Sequence, residues 1–143
     1  MKNLFLIALL ILAASCRQPV SVERFLRGTG PYEFAVDFSD STATWNLDLY
    51  SRVDALEAPA EMPLELAWTS PSEAVFTETV YLPFSTGTSF FSHEALSPYR
   101  SDVVPSERGV WTLVITVPEP PKGLRGMGLV THICHSERSE ESL

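Results

Sequence analysis

Val110–Val117, VWTLVITV, is bounded by Gly109 and by the proline cluster Pro118-Glu119-Pro120-Pro121. Trp111, Leu113, Ile115 and Val117 fall on one phase of a two-residue period; Val110, Val114 and two threonines fall on the other. Eight β-branched, aromatic and aliphatic residues in a row between two breakers predict a β-strand packed on a core. It is the strongest strand signal in the chain, and the segments around it obey the same period.

Upstream, YEFAVDF places Tyr32, Phe34, Val36 and Phe38 on one phase against Glu33, Ala35 and Asp37. Asp40-Ser41 turns the chain. In TWNLDLYSRVD, Trp45, Leu47 and Leu49 alternate with Asn46, Asp48, Tyr50 and Arg52. A local hairpin between these two segments is the expected pairing. Residues 55–63, ALEAPAEMP, read as a loop because prolines disfavour a central strand. A third strand carries Leu64, Leu66 and Trp68. Ser70-Pro71-Ser72 turns into AVFTETVYLPF, where both phases are rich in strand formers, so cover on both sides is expected. Residues 85–98, with Phe90 and Phe91, read as an irregular loop, and Arg100–Val104 as a short extended piece. LRGMGLV, Leu124–Val130, reads as a last, glycine-kinked strand. Strands at this spacing between Pro, Gly and Ser turns predict an all-β chain with a single β-sandwich domain, jelly-roll-like, over residues 31–130.

The N-terminus has a different logic. Lys2 precedes the apolar run Leu4–Leu12, LFLIALLIL, and small residues Ala13, Ala14 and Ser15 lead into Cys16. The run has the length of a signal-peptide core and is shorter than the roughly 20 residues a spanning helix needs. Small residues before a cysteine resemble a bacterial lipobox, with Leu12 one place earlier than the usual leucine. Residues 1–15 are therefore expected to be a signal peptide. Cys16 is expected to carry lipid, with residues 16–30 as a tether ending at the turn cluster Gly28–Pro31. An ordinary secretory signal with a chance cysteine is the alternative. The absence of an acidic cluster at Arg17–Val20 favours a periplasm-facing position on the bacterial outer membrane, held there by the lipid.

Composition narrows the partners. Without Lys2 the chain has nine basic against eighteen acidic side chains, which argues against nucleic acid and against adsorption to anionic headgroups. The two cysteines are Cys16 and Cys134. With Cys16 acylated, Cys134 has no intramolecular partner, so this is no disulfide scaffold.

Residues 131–143 change character: THICHSERSEESL is polar and shows no sheet period. CHSERSEESL resembles a translated intergenic repeat found at the ends of unrelated bacterial reading frames. That implies a disordered tail and a frame broken near Val130; a genuine disordered tail is the alternative.

No constellation for catalysis or for a metal or cofactor stands out, and the chain reads as non-enzymatic. His93, between Ser92 and Glu94, is a conceivable general base but reads as a solvated loop histidine. His132, Cys134 and His135 lack the second ligand pair of a structural zinc site. Glu78, on an otherwise apolar phase, marks either a site or a strand edge where its carboxylate reaches water.

Taken together, the lipobox-like cysteine, the aromatic first strand, WNLDLYSR ending near Arg52, Gly109-x-Trp111 opening a hydrophobic strand, and Gly126-x-Gly128-Leu129 resemble the gliding motility lipoprotein H family over residues 16–130. The resemblance implies a non-catalytic envelope lipoprotein, an accessory or structural part of gliding-type machinery, with other envelope proteins as partners. The rival is a glycan-binding sandwich using Trp45, Trp68, Tyr50 and Tyr81. The phase of both tryptophans points to the core instead.

Overall fold

A computed structural model describes residues 20–56, 58–84 and 92–135. Residues 1–19, including the expected signal peptide and Cys16, lie outside the described residues, as do Phe90, Phe91 and residues 136–143. Among the described residues eight strands follow one another: β1 Val20–Arg27, β2 Tyr32–Asp37, β3 Ala43–Val53, β4 Glu61–Thr69, β5 Val75–Pro83, β6 His93–Val103, β7 Val110–Thr116 and β8 Leu124–His135. They form two four-stranded antiparallel sheets. Sheet A has the order β1-β8-β3-β6 and sheet B the order β2-β7-β4-β5.

The pairing is nested. β4 pairs β5, β3 pairs β6, β2 pairs β7 and β1 pairs β8. The chain is thus one long hairpin rolled up, so that β8 also meets β3 and β7 also meets β4. This is a jelly roll, as the strand spacing predicts. The rolling also explains why the expected hairpin between β2 and β3 does not form. Successive strands alternate between sheets, and only β4 and β5 are both adjacent in sequence and paired.

The two-residue period sets what is buried. Tyr32, Phe34 and Val36 of β2, Trp45, Leu47 and Leu49 of β3, Leu64 and Leu66 of β4, and Trp111, Leu113 and Ile115 of β7 point into one shared core. Each large apolar side chain moved fully out of water contributes about 1.5–3 kcal/mol. Tyr32 keeps its hydroxyl satisfied by donating to the Gly28 carbonyl, and the buried Ser51 hydroxyl donates to the Gly126 carbonyl at 3.0 Å.

Four further expectations need correction. The stretch read as a tether contains β1, whose residues are all exposed; with no buried phase it has no period to read, and its ladder to β8 supplies the order. The domain does not end at Val130, because β8 runs to His135, pairing His135 with Ala43 and Ile133 with Val20. The polar residues there lie along a partly exposed strand: His132 meets Asp48 at 2.9 Å and Ser21 at 2.7 Å. β5 is not covered on both sides; it is an edge strand on which Val75, Phe76 and Tyr81 stay exposed. Finally, the expected loops are partly strand. β6 runs unbroken from His93 through Pro98, which an edge strand tolerates. β4 starts at Glu61, and Pro63 lies beyond the part of β4 that pairs with β7, where an absent N–H can fall on the open side.

The glycines of β8 permit its close contact with β1. A Cβ on Gly126 would sit 2.3 Å from the Leu26 carbonyl oxygen and 2.7 Å from the Phe25 ring. Gly126→Ala is expected to lower stability by about 1–3 kcal/mol in urea denaturation, since the clash is with backbone. Val110→Thr, at a position 55% exposed, should change it by less than about 0.5 kcal/mol.

Candidate functional site

β5 is the edge of sheet B and β6 the edge of sheet A, and they lie on the same side of the sandwich. Neither edge pairs with the other, so the two sheets part there. The opening is a cleft of about 390 Å³. Phe38, Trp68, Phe76 and Trp111 wall it from one sheet, and Leu47, Tyr99 and Val103 from the other, with Pro105 and Ser106 at its end.

Its aromatic wall is built around Phe38, the residue following β2. Phe38 meets Trp45 edge-on at 5.0 Å and Trp111 at 6.3 Å, and lies 6.1 Å from Trp68. Trp68 and Trp111 meet edge-to-face at 6.4 Å, while Phe76 stacks on Trp111 at 6.0 Å. Such pairs contribute about 0.5–1.5 kcal/mol each beyond the area they bury. The Gly109 turn helps to place Trp111: the Gly109 carbonyl accepts from the Phe38 amide at 2.8 Å, and the Trp111 indole donates to the Glu107 carbonyl at 2.9 Å.

One polar chain crosses the cleft between the sheets. Trp68 Nε1 donates to the Tyr99 hydroxyl at 3.0 Å, Tyr99 donates in turn to Glu78, and Arg100 Nη2 reaches the other Glu78 oxygen at 2.6 Å. The Arg100 guanidinium also lies 4.8 Å from the Tyr99 ring centre. Burial, reinforced by the Glu78 carboxylate, pushes the Tyr99 hydroxyl up to about 12. Tyr99 therefore keeps its proton at neutral pH, with that proton engaged by Glu78. An apolar slot with a hydrogen-bonded rim suits holding an apolar group more than activating a nucleophile.

A second, more polar hollow of about 430 Å³ lies toward the opposite end of the sandwich, lined by Arg27, Arg52, Asp54 and Arg125 among others. Asp54 accepts from Arg52 at 2.9 Å and from Arg125 at 2.8 Å. The Arg52 hydrogen bond, aided by Arg125, holds the Asp54 carboxyl below the usual range.

The residues singled out in the sequence are distributed unevenly. Glu78 lies on an edge strand, as one of its two readings has it, and also lines the cleft. Trp45, Trp68 and Trp111 are 1%, 9% and 8% exposed, so none of them supplies a flat exposed platform for a sugar. His93 opens β6 opposite Val53, and its Nε2 is buried without a hydrogen-bond partner among the described residues. His132 is engaged by Asp48 and Ser21, and His135 lies 3.5 Å from Asp40. With Cys134 they form no three-ligand group; none is present among the described residues. Arg52 and Gly126 are paired neighbours across β3 and β8, and Gly128 lies between Phe25 and Tyr50, whose rings meet at 5.7 Å. Cys16 falls outside the described residues. Sequence reasoning missed Tyr99 and Arg100, which lay in a segment without a readable period.

Tyr99→Phe should cost about 1 kcal/mol by leaving the Trp68 indole donor unpaired. The sign of its pH effect is defined. A hydroxyl raised from 10.0 to about 12 contributes stability that is complete below pH 10 and lost as pH rises toward 12. Denaturation curves across that window should fall less steeply for Tyr99→Phe than for the parent chain.

Neither a scan against protein-family models nor a search among curated proteins gives a match for this chain.

Proposed function

We propose that this chain is a lipid-anchored envelope protein of the bacterial outer membrane, attached through Cys16 and facing the periplasm. Its jelly-roll domain acts by binding rather than by catalysis, as an accessory part of gliding-type envelope machinery. The observation that carries the anchor is the run Leu4–Leu12 followed by Ala13-Ala14-Ser15-Cys16, placed four residues ahead of the first strand. The acidic balance of the chain supports a lipid rather than charge as the attachment. The resemblance of the strand motifs to gliding motility lipoprotein H supports the machinery, and the apolar cleft supports a binding role. Burial of all three tryptophans removes the main support for the glycan-binding alternative.

The anchor is tested in cells by labelling with a fatty-acid analogue and fractionating envelopes. The parent chain should be labelled and pellet with membranes; Cys16→Ala should lose both properties. An unlabelled parent would overturn the anchor. The machinery is tested by crosslinking intact envelopes: gliding or secretion components should co-purify with the lipidated protein, and a clean monomer would count against that assignment.

A further inference from the structure

The first observation is the place of Val20 in sheet A. Val20 of β1 pairs with Ile133 of β8, Ile133 with Trp45 of β3, and Trp45 with Val103 of β6. This row crosses sheet A from one edge to the other and ends at a wall of the aromatic cleft. Neighbouring strands are spaced about 4.8 Å apart, so Val20 stands roughly 14 Å across the sheet from Val103. Cys16 precedes Val20 by four residues, which span at most about 14 Å. A lipid on Cys16 thus holds this end of the sandwich, cleft included, close to the headgroups. This step rests on the anchor proposed above.

The second observation is what that end exposes. Val20, Val75, Phe76, Val104 and Val110 are 53–64% exposed. Val75 and Val110 open strands at this end, opposite Thr69 and Asp37, and Val104 follows directly on β6. Phe76 stacks on Trp111 at the cleft mouth. Leu26, Leu56, Tyr81 and Leu96, toward the opposite end, are 38–67% exposed, so it is the reach of Cys16 that selects the cleft end for the boundary between headgroups and acyl chains.

The third observation is charge. Asp37, Asp40, Glu73, Glu78, Asp102 and Glu107 lie at this end against Arg100 and Arg108. The excess of carboxylates repels an anionic surface and leaves a neutral one as the fitting partner.

We infer that the cleft end of the jelly roll docks on the membrane that carries its anchor, with Phe76 and the neighbouring valines entering a surface of neutral, zwitterionic phospholipid. The domain then stands on the bilayer in one orientation, and the hollow around Arg27, Arg52 and Arg125, toward the opposite end, faces away from it.

The test uses the mature full-length protein, with acylation of Cys16 checked by mass spectrometry, reconstituted into phosphatidylcholine vesicles. Bromine-labelled acyl chains should reduce tryptophan emission relative to unlabelled vesicles. Phe76→Asp should abolish that loss while the protein stays with the vesicles, and Tyr81→Asp, farther along β5, should leave it unchanged. Adding phosphatidylglycerol should weaken the quenching; equal or stronger quenching overturns the preference for a neutral surface. A photo-crosslinker at position 76 in cells should capture lipid, and capture of a polypeptide alone overturns the docking. Absence of quenching in a chain with acylated Cys16 overturns the docking and leaves the anchor standing. An unmodified Cys16 overturns both.

Discussion

Sheet A depends on the position of β8 between β1 and β3. Among the described residues β8 is the last strand in sequence and a central strand in space, with partners on both sides over most of its length. Its glycines make that possible: at Gly126 there is no room for a side chain beneath the Leu26 carbonyl and the Phe25 ring. The outermost strand pair of the nested hairpin therefore joins the first and last described segments. Such long-range pairing must close large loops before it yields contacts, so a fold of this kind is expected to form slowly compared with a helical bundle of similar size.

The rolling of the hairpin also creates the cleft. The nested pairs leave β1 and β2 as edges on one side of the sandwich and β5 and β6 as edges on the other, where β5 and β6 lie near each other without pairing. The aromatic cluster around Phe38 fills the space between the sheets near that opening, and the chain from Trp68 through Tyr99 to Glu78 and Arg100 ties the two edges together. The same polar chain satisfies an indole donor and a carboxylate that would otherwise be costly to shelter from water. Glu78 is thus both an edge residue and a structural link, which accounts for a carboxylate on an otherwise apolar strand phase.

The signal-like N-terminus supports the proposed export and attachment; the folded domain offers shape, with an apolar cleft at the end that holds Val20 and an arginine-lined hollow at the other. A domain held by lipid through a short connection would be restricted in how it can stand on a membrane.

Much of the fold was legible in the residues themselves. Alternation in β2, β3, β4 and β7 marked the core correctly, because burying one strand face requires apolar side chains at every second position. The all-β class and the sandwich follow from that period and from the turns between segments. The site was less legible: Glu78 stood out as an anomaly, but Tyr99 and Arg100 did not, since nothing local links residues more than twenty positions apart. β1 and the end of β8 escaped for a related reason. β1 has no buried phase, and the polar residues at the end of β8 broke the pattern; both are ordered by hydrogen bonds to distant partners. The sequence alone determined which faces turn inward. Only the tertiary structure decided which strands are neighbours, because side-chain periodicity records burial, whereas pairing depends on how the whole hairpin rolls.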